Sequence, residues 1–175
     1  MIRGLDIAPG MVSEYNKRAA AADIVPEKMS AHEGDILNPS PSILTTDLHD
    51  FDLAIVSMAL HHMPDAEAVL SALVGRLRPG GTVAVVDWAP ANDDKMPWGD
   101  TGKHEANHTV HAESREMLAW ENILPMLGRA GCDLSTAYYA VMGEKSHMPE
   151  DVTKVPGGLH VNGFLAFAKK KVERS

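Results

Sequence analysis

The sequence predicts a doubly wound α/β fold. Short apolar runs typical of strands alternate along the chain with segments whose apolar residues recur at helical spacing. The most apolar run, Phe51–Ala59, is nearly continuous, so we expect it to be buried on both faces in the middle of a parallel sheet. The last two apolar runs have no helix between them, which predicts an antiparallel pair.

The same patterns place the individual elements, whose ends are marked by proline, glycine and capping residues. Pro9 and Gly10 end the first strand, and Asp65 can cap the helix that follows the buried strand. Pro79, Gly80 and Gly81 then stop that helix, and Pro125 bends the last one. The predicted strands are Ile2–Ile7, Met29–Ile36, Phe51–Ala59, Thr82–Trp88, Leu134–Met142 and Val161–Ala168, and the predicted helices are Met11–Ala22, Ala66–Leu77 and Ser114–Arg129.

Composition limits the function. A length of 175 residues predicts a single domain over residues 1–175, and 45% apolar residues are enough for a core. The formal net charge of -8 argues against binding nucleic acid or an anionic membrane surface. One cysteine, Cys132, excludes an intrachain disulfide, and no apolar run approaches the roughly 18 residues of a membrane span. With no signal-peptide pattern at Met1, we expect a cytoplasmic protein.

Four stretches of the sequence together carry a family resemblance. In chain order they are GLDIAPGMV (4–12), GDIL (34–37), FDLAIVSMALHHMPD (51–65) and LRPGGTVAVVDW (77–88). Their order and spacing resemble strands two to five of the class I S-adenosylmethionine (SAM)-dependent methyltransferases. The resemblance covers nearly the whole chain and implies a Rossmann-like, mostly parallel sheet with an antiparallel C-terminal strand pair, without the family's first strand.

The resemblance also implies a set of cofactor contacts. The carboxylate of Asp6 would take the ribose hydroxyls, Met11 would pack on adenine, and Asp35 would face the adenine amino group, with further contacts from Ile36 and Ser57. The residues alone leave alternatives open. Asp6 could instead be a helix N-cap or a turn residue, Asp35 could form a turn, and Met11 could be core packing of its helix.

The cofactor loop of the family is the feature that this sequence lacks. The family's first strand ends in a glycine-rich loop that lets backbone approach the ligand, and no Gly-x-Gly occurs in the 175 residues. We therefore expect binding of SAM or S-adenosylhomocysteine to be weak or absent unless a partner completes the site. The apolar strands on either side of the missing one could close on each other, accept a strand from another chain, or drive association. Of these we expect a homodimer or a partner chain that completes the sheet.

Polar and aromatic residues at the carboxyl ends of the strands are candidates for chemistry, because ligands bind there in such sheets. His61 and His62 follow the buried strand and could act as general base, or could only hydrogen-bond to loop backbone. Trp88 ends the next strand, beside Asp87, and could form a wall of an apolar substrate pocket.

A second histidine group lies in the polar loop Ala89–His111. His104, Glu105 and His108 match His-Glu-x-x-His, and His111 follows three residues later, as zinc ligands on a helix would. The surrounding prolines, glycines and aspartates favour a loop, so we expect no metal there. We interpret His108 as a catalytic candidate and His104 and His111 as substrate-side residues, with a solvated loop as the alternative.

Three functions fit these observations. The first is a methyltransferase-like enzyme that uses SAM to methylate a small-molecule substrate. The second is an enzyme of the same fold that has given up SAM and catalyses a cyclisation, isomerisation or elimination. The third is a non-catalytic partner of a full-length relative.

Overall fold

The computed structural model describes residues 1–40, 43, 48–89, 118–153 and 156–172. Within these ranges the chain divides into two compact units, Met1–Asp50 and Phe51–Ser175. The strands form two sheets: a two-stranded sheet in the first unit and a four-stranded sheet in the second.

The first unit is a β–α–β arrangement of β1 (Ile2–Asp6), α1 (Pro9–Ala21) and β2 (Met29–Glu33). The two strands are parallel, and Asp6 at the end of β1 pairs in register with Glu33. Pro9 was expected to lie outside the helix, but it opens α1. A proline fits there because the first helical residue needs no amide donor and its φ is already near the helical value.

The second unit is built on a mixed sheet with the strand order β3–β4–β6–β5. The pair β3–β4 is parallel, while β6 is antiparallel to both β4 and β5. This confirms the predicted α/β fold with its antiparallel C-terminal pair. The elements are β3 (Phe51–Ser57), a 3-10 turn (Leu60–His62), α2 (Ala66–Gly75), β4 (Leu77–Trp88), α3 (Trp120–Arg129), β5 (Cys132–Met148), α4 (Glu150–Thr153) and β6 (Leu159–Lys170).

The helices α2 and α3 cover one face of this sheet and contact each other. Asp65 caps α2 by accepting a hydrogen bond from the Ala68 amide at 2.8 Å, as predicted. The side chains buried between helices and sheet are almost fully shielded from water, among them Leu70, Val83, Val85, Ile123, Leu127 and Phe164. This burial is the main source of the second unit's stability.

The expectation that β3 is buried on both faces is wrong. Val56 is 7% exposed, but Leu53 and Ile55, which alternate with it along the strand, are 49% and 55% exposed. Successive side chains of a strand point to opposite faces. One face of β3 therefore lies in the core, and among the described residues nothing buries its other face.

Two element boundaries also differ from the prediction. Pro79, Gly80 and Gly81 do not end the helix, which stops at Gly75; they lie in β4. Glycine is needed at position 81 because a Cβ there would come within 2.8 Å of the Phe51 carbonyl oxygen. The fifth predicted strand ends at Met142, whereas β5 continues to Met148 and is followed by α4. The polar residues of this extension of β5 are exposed, so the apolar pattern that signals a strand is missing there.

Candidate functional site

The clearest candidate site lies at the carboxyl edge of the β3–β4 pair. Asp87, the next-to-last residue of β4, is fully buried, and its Oδ1 lies 2.6 Å from Nδ1 of His61. The other carboxylate oxygen, Oδ2, accepts a hydrogen bond from the His61 amide at 3.3 Å, and Oδ1 also accepts one from the Trp88 amide at 2.8 Å. One carboxylate thus fixes both the backbone and the ring of His61.

The chain between β3 and α2 is shaped to deliver this histidine. Met58, just after β3, has a φ of 52°, an uncommon conformation for a residue with a side chain. Its amide donates to the Val86 carbonyl at 2.8 Å, which keeps the turn next to β4. Leu60 is completely buried and anchors the 3-10 turn whose next residue is His61.

The second nitrogen of the His61 ring remains available. The ring is 10% exposed, and no described residue hydrogen-bonds to its Nε2. Among the described residues, every buried side-chain nitrogen or oxygen has a hydrogen-bond partner. Because Nε2 has no such partner, it is not buried and contacts solvent. A carboxylate on Nδ1 and a free Nε2 are the arrangement of a general base and the group that orients it.

The other expected residues at this edge are less enclosed. His62 is exposed, and its ring centroid lies 3.9 Å from that of His61 at a tilt of 44°. Trp88 is half-buried, and Ser57 is exposed at the end of β3. The second unit therefore brings His61, His62 and Trp88 to one edge of its sheet.

In the first unit, Asp6 and Asp35 each close a turn after a strand. Oδ1 of Asp6 accepts a hydrogen bond from the Ala8 amide at 2.8 Å, while its Oδ2 bonds to no described residue. Asp35 is occupied on both oxygens, by the Asn38 side chain at 2.9 Å and the Leu37 amide at 2.8 Å. These bonds, that of Asn38 most of all, hold the pKa of Asp35 below its ordinary value. With its pKa lowered, the Asp35 carboxylate is an ionised acceptor at neutral pH.

The two apolar residues expected near the cofactor, Met11 and Ile36, differ in their exposure to solvent. Met11 is 61% exposed on the first turn of α1, so its side chain is free to cover a ligand. The alternative for Met11, plain core packing, does not agree with this exposure. Ile36 is half-buried next to Asp35.

His104, His108 and His111, with Glu105, lie outside the described residues. Among the residues that are described, no group of three or more His, Cys, Asp or Glu side chains is placed to hold a metal ion. No helix in the described part of the chain is long and apolar enough to cross a membrane.

Sequence reasoning missed the role of Asp87. It named Asp87 only as a neighbour of Trp88, although the signal was present. The parallel strands β3 and β4 bring their carboxyl ends to the same edge, so a His after one and an Asp at the end of the other become neighbours.

Comparison with known proteins connects these observations to a family. A family model described as a methyltransferase domain matches residues 1–83. An uncharacterized methyltransferase of Schizosaccharomyces pombe is 30% identical over 95 residues, which is 53% of this chain and 32% of the relative. The chain therefore spans about a third of the length of that curated relative.

Solved structures share the fold at low sequence identity. A putative methyltransferase from Bacillus halodurans is 14% identical with a TM-score of 0.64, over 98% of this chain and 84% of that one. The [4+2]-cyclase SpnF is 14% identical with a TM-score of 0.61, over 99% and 67%. A Haemonchus contortus phosphoethanolamine N-methyltransferase, solved with SAM, is 12% identical with a TM-score of 0.58, over 97% and 43%.

The matched family model, the yeast relative and the shared α/β fold agree with the motifs of strands two to five. Residues 1–83 of this chain are thus similar to a methyltransferase domain, and the chain shares the fold of solved methyltransferase structures.

Proposed function

We propose that this chain acts in methyl transfer from SAM to a small molecule, with His61 as the general base. The observation that carries the proposal is the buried Asp87 carboxylate on Nδ1 of His61, which leaves Nε2 facing solvent. An imidazole held in this way takes a proton from a hydroxyl or amine as that group becomes a nucleophile.

The first unit has residues that fit the nucleoside part of the cofactor. Oδ2 of Asp6 is free to accept a ribose hydroxyl, and the exposed side chain of Met11 offers an apolar surface for a purine. When bound, SAM supplies an electrophilic methyl group. The chain's own contribution is to bind the nucleoside, hold His61 in one orientation and receive the acceptor's proton.

Titration with S-adenosylhomocysteine tests the cofactor part of the proposal. Because the glycine-rich loop is missing, calorimetry should show weak but saturable binding, and Asp6→Ala should weaken it further. Asp133→Ala is the matched control, because Asp133 closes a similar turn in the second unit by accepting a hydrogen bond from the Ser135 amide. The cofactor assignment would be lost if millimolar ligand gave no heat, or if both variants bound like the wild type.

Transfer of a labelled methyl group from SAM to a panel of small hydroxyl and amine acceptors tests the base. His61→Gln should lower the rate about 100-fold or more, the usual contribution of a positioned base. The neighbouring variant His62→Gln is the control and should retain most of the activity. Equal losses in the two variants would contradict the assignment of His61.

The same histidine, together with the fold that this chain shares with a cyclase, favours a second function. SpnF is a [4+2]-cyclase, and its fold is that of this chain. A His61–Asp87 pair could equally serve acid–base steps of a cyclisation, isomerisation or elimination without SAM. In that case calorimetry with S-adenosylhomocysteine would show no heat. His61→Gln would still lower the rate of the cyclisation, isomerisation or elimination that the wild type catalyses.

We also propose that a second copy of the chain covers the open face of the four-stranded sheet. Leu53, Ile55 and Tyr138 are about half exposed there, and Tyr138 stacks on Phe167 with ring centroids 5.0 Å apart. These four side chains carry no charge, so two copies with net charge -8 could meet there without direct repulsion. Light scattering at micromolar concentration should give a dimer that Leu53→Ser with Ile55→Ser dissociates. A monodisperse wild-type monomer would overturn this.

A further inference from the structure

The strands β5 and β6 form a hairpin that continues past the rest of the sheet. The last register pair between β4 and β6 is Trp88 with Gly163, whereas β5 and β6 remain paired as far as Met148 and Leu159. Residues 159–162 of β6 have no register partner in β4, although the Asn162 carbonyl accepts a hydrogen bond from the Ala89 amide at 2.8 Å, and residues 145–147 of β5 are exposed. We call these paired ends, Lys145–Met148 and Leu159–Asn162, the hairpin tip.

Two histidines are direct register partners in the hairpin tip. His147 lies opposite His160, and their ring centroids are 4.9 Å apart at an angle of 48°. His160 is three residues before Gly163, so the pair lies about 10 Å beyond the end of β4 at the usual rise of a strand. Opposite residues of an antiparallel pair share one face, so both rings are on the same side of the hairpin.

These two rings have no other visible task. Both histidines are exposed, and within the described part of the chain neither ring takes part in a hydrogen bond or an ion pair. A Cβ on Gly158 would come within 2.7 Å of His147, so the glycine backbone packs against that ring and restricts its position. Two free imidazoles are thus held side by side on a paired backbone.

We propose that His147 and His160 together bind a divalent transition-metal ion of the Zn²⁺, Ni²⁺ and Cu²⁺ class. Imidazole nitrogens are common ligands of these ions and bind at about 2.0–2.1 Å, so two of them must come within about 4 Å of each other. Rings whose centroids are 4.9 Å apart reach that spacing by small side-chain rotations. Cu²⁺ binds tightest, following the general order of these metals.

The surroundings define the kind of site. Among the described residues, no third His, Cys, Asp or Glu joins the pair to form a group of three. A site of two histidines leaves coordination positions for water, so we expect the ion to exchange readily. Lys145, two residues before His147, places one positive charge near the pair and repels a cation. The chain as a whole has a net charge of -8, which attracts cations. A bridging ion connects the two strands and stabilises the hairpin tip through linkage.

Titration of the full chain with Cu²⁺, followed through the NMR signals of the histidine rings, tests the proposal. The signals of His147 and His160 should broaden together, below one equivalent of Cu²⁺. His160→Gln should weaken Cu²⁺ binding at His147 roughly tenfold or more, and His147→Gln should do the same at His160. The matched control His32→Gln, at an exposed histidine of the first unit, should leave the broadening of the pair unchanged.

A Zn²⁺ titration of the wild type needs no variant and gives a second readout. Both ring signals should shift with one apparent Kd, and the amides of Lys145–Met148 should shift with them. The proposal is wrong if the two rings respond at different Zn²⁺ concentrations, or if neither responds. It is also wrong if His160→Gln leaves the broadening of His147 by Cu²⁺ as it was.

Discussion

Both units have aspartates at or just after the carboxyl ends of strands, but the surroundings of these aspartates differ. In the second unit, Asp87 is completely buried and accepts hydrogen bonds from the backbone and ring of His61 and from the Trp88 amide. In the first unit, Asp6 and Asp35 are half-buried and bind groups within three residues of themselves. An aspartate at the end of a strand therefore plays different parts in the two units. In the second unit it holds His61 in place, and in the first unit it closes a turn and stays accessible to a ligand.

The difference has its origin in how much apolar surface each unit buries. Among the described residues of the first unit, only Ala19, Ile43 and Leu48 are fully buried apolar side chains, whereas the second unit contains the remaining core. A buried carboxylate must be compensated by donors, and Asp87 has three of them. A carboxylate in contact with water needs no such set, which leaves it free for a ligand.

Asp87→Ala should show the largest effect on stability. The substitution leaves three N–H donors without an acceptor, which predicts a loss of about 3 kcal/mol in the free energy of unfolding. Asp35→Ala is the comparison and should cost much less, because water replaces the lost acceptor there. Urea unfolding of both variants measures the contrast.

Asp87→Asn sharpens the same experiment, since it keeps one acceptor oxygen and the shape of the side chain. It should recover part of the stability that Asp87→Ala loses. Equal destabilisation by Asp87→Ala and Asp35→Ala would mean that burial at the two sites does not differ as described.

The thiol of Cys132 reports how well the interior of the second unit excludes water. Cys132 is fully buried at the start of β5, and burial raises the pKa of its thiol to about 11. A raised pKa means that its contribution to stability is present below the ordinary thiol pKa and is lost as the pH rises towards 11. At pH 8 the native protein should resist thiol reagents, because the thiolate is the reactive form.

The control for this measurement is the same chain in denaturant, where the single cysteine should react fully. Labelling of the native protein at the rate of the unfolded chain would show that the core around Cys132 opens readily.

The sequence was sufficient to predict the α/β fold and to name His61 as a candidate, but not to pair His61 with Asp87. Alternating strand and helix patterns gave the elements in order, because local apolar periodicity is strong wherever a face is buried. Apolar periodicity failed for the open face of β3, because an apolar run cannot show whether anything covers it. It also failed for the polar end of β5, which is exposed although it pairs with β6. Pairing of His61 with Asp87 depends on strand register, which no local pattern contains.

The smallest expected effect is on the pKa of Asp35, and it tests whether this carboxylate is set by its own turn. The Asn38 side chain is the largest cause of the lowered pKa, so Asn38→Ala should raise it towards the ordinary value of an aspartate. A lowered pKa contributes stability above the ordinary value that is lost as the pH falls through the lowered one. The variant should therefore depend less on pH in acid.

An NMR titration of the side-chain carboxyl signals measures this shift, and the second unit provides a matched control. The pKa of Asp133 is lowered chiefly by a hydrogen bond from the Ser135 side chain, so Ser135→Ala should raise the pKa of Asp133 and leave that of Asp35 unchanged. If Asn38→Ala left the pKa of Asp35 where it was, the turn would not be its cause. Asp35 would then have to be held by a charge or donor beyond its neighbours, which would make it resemble Asp87.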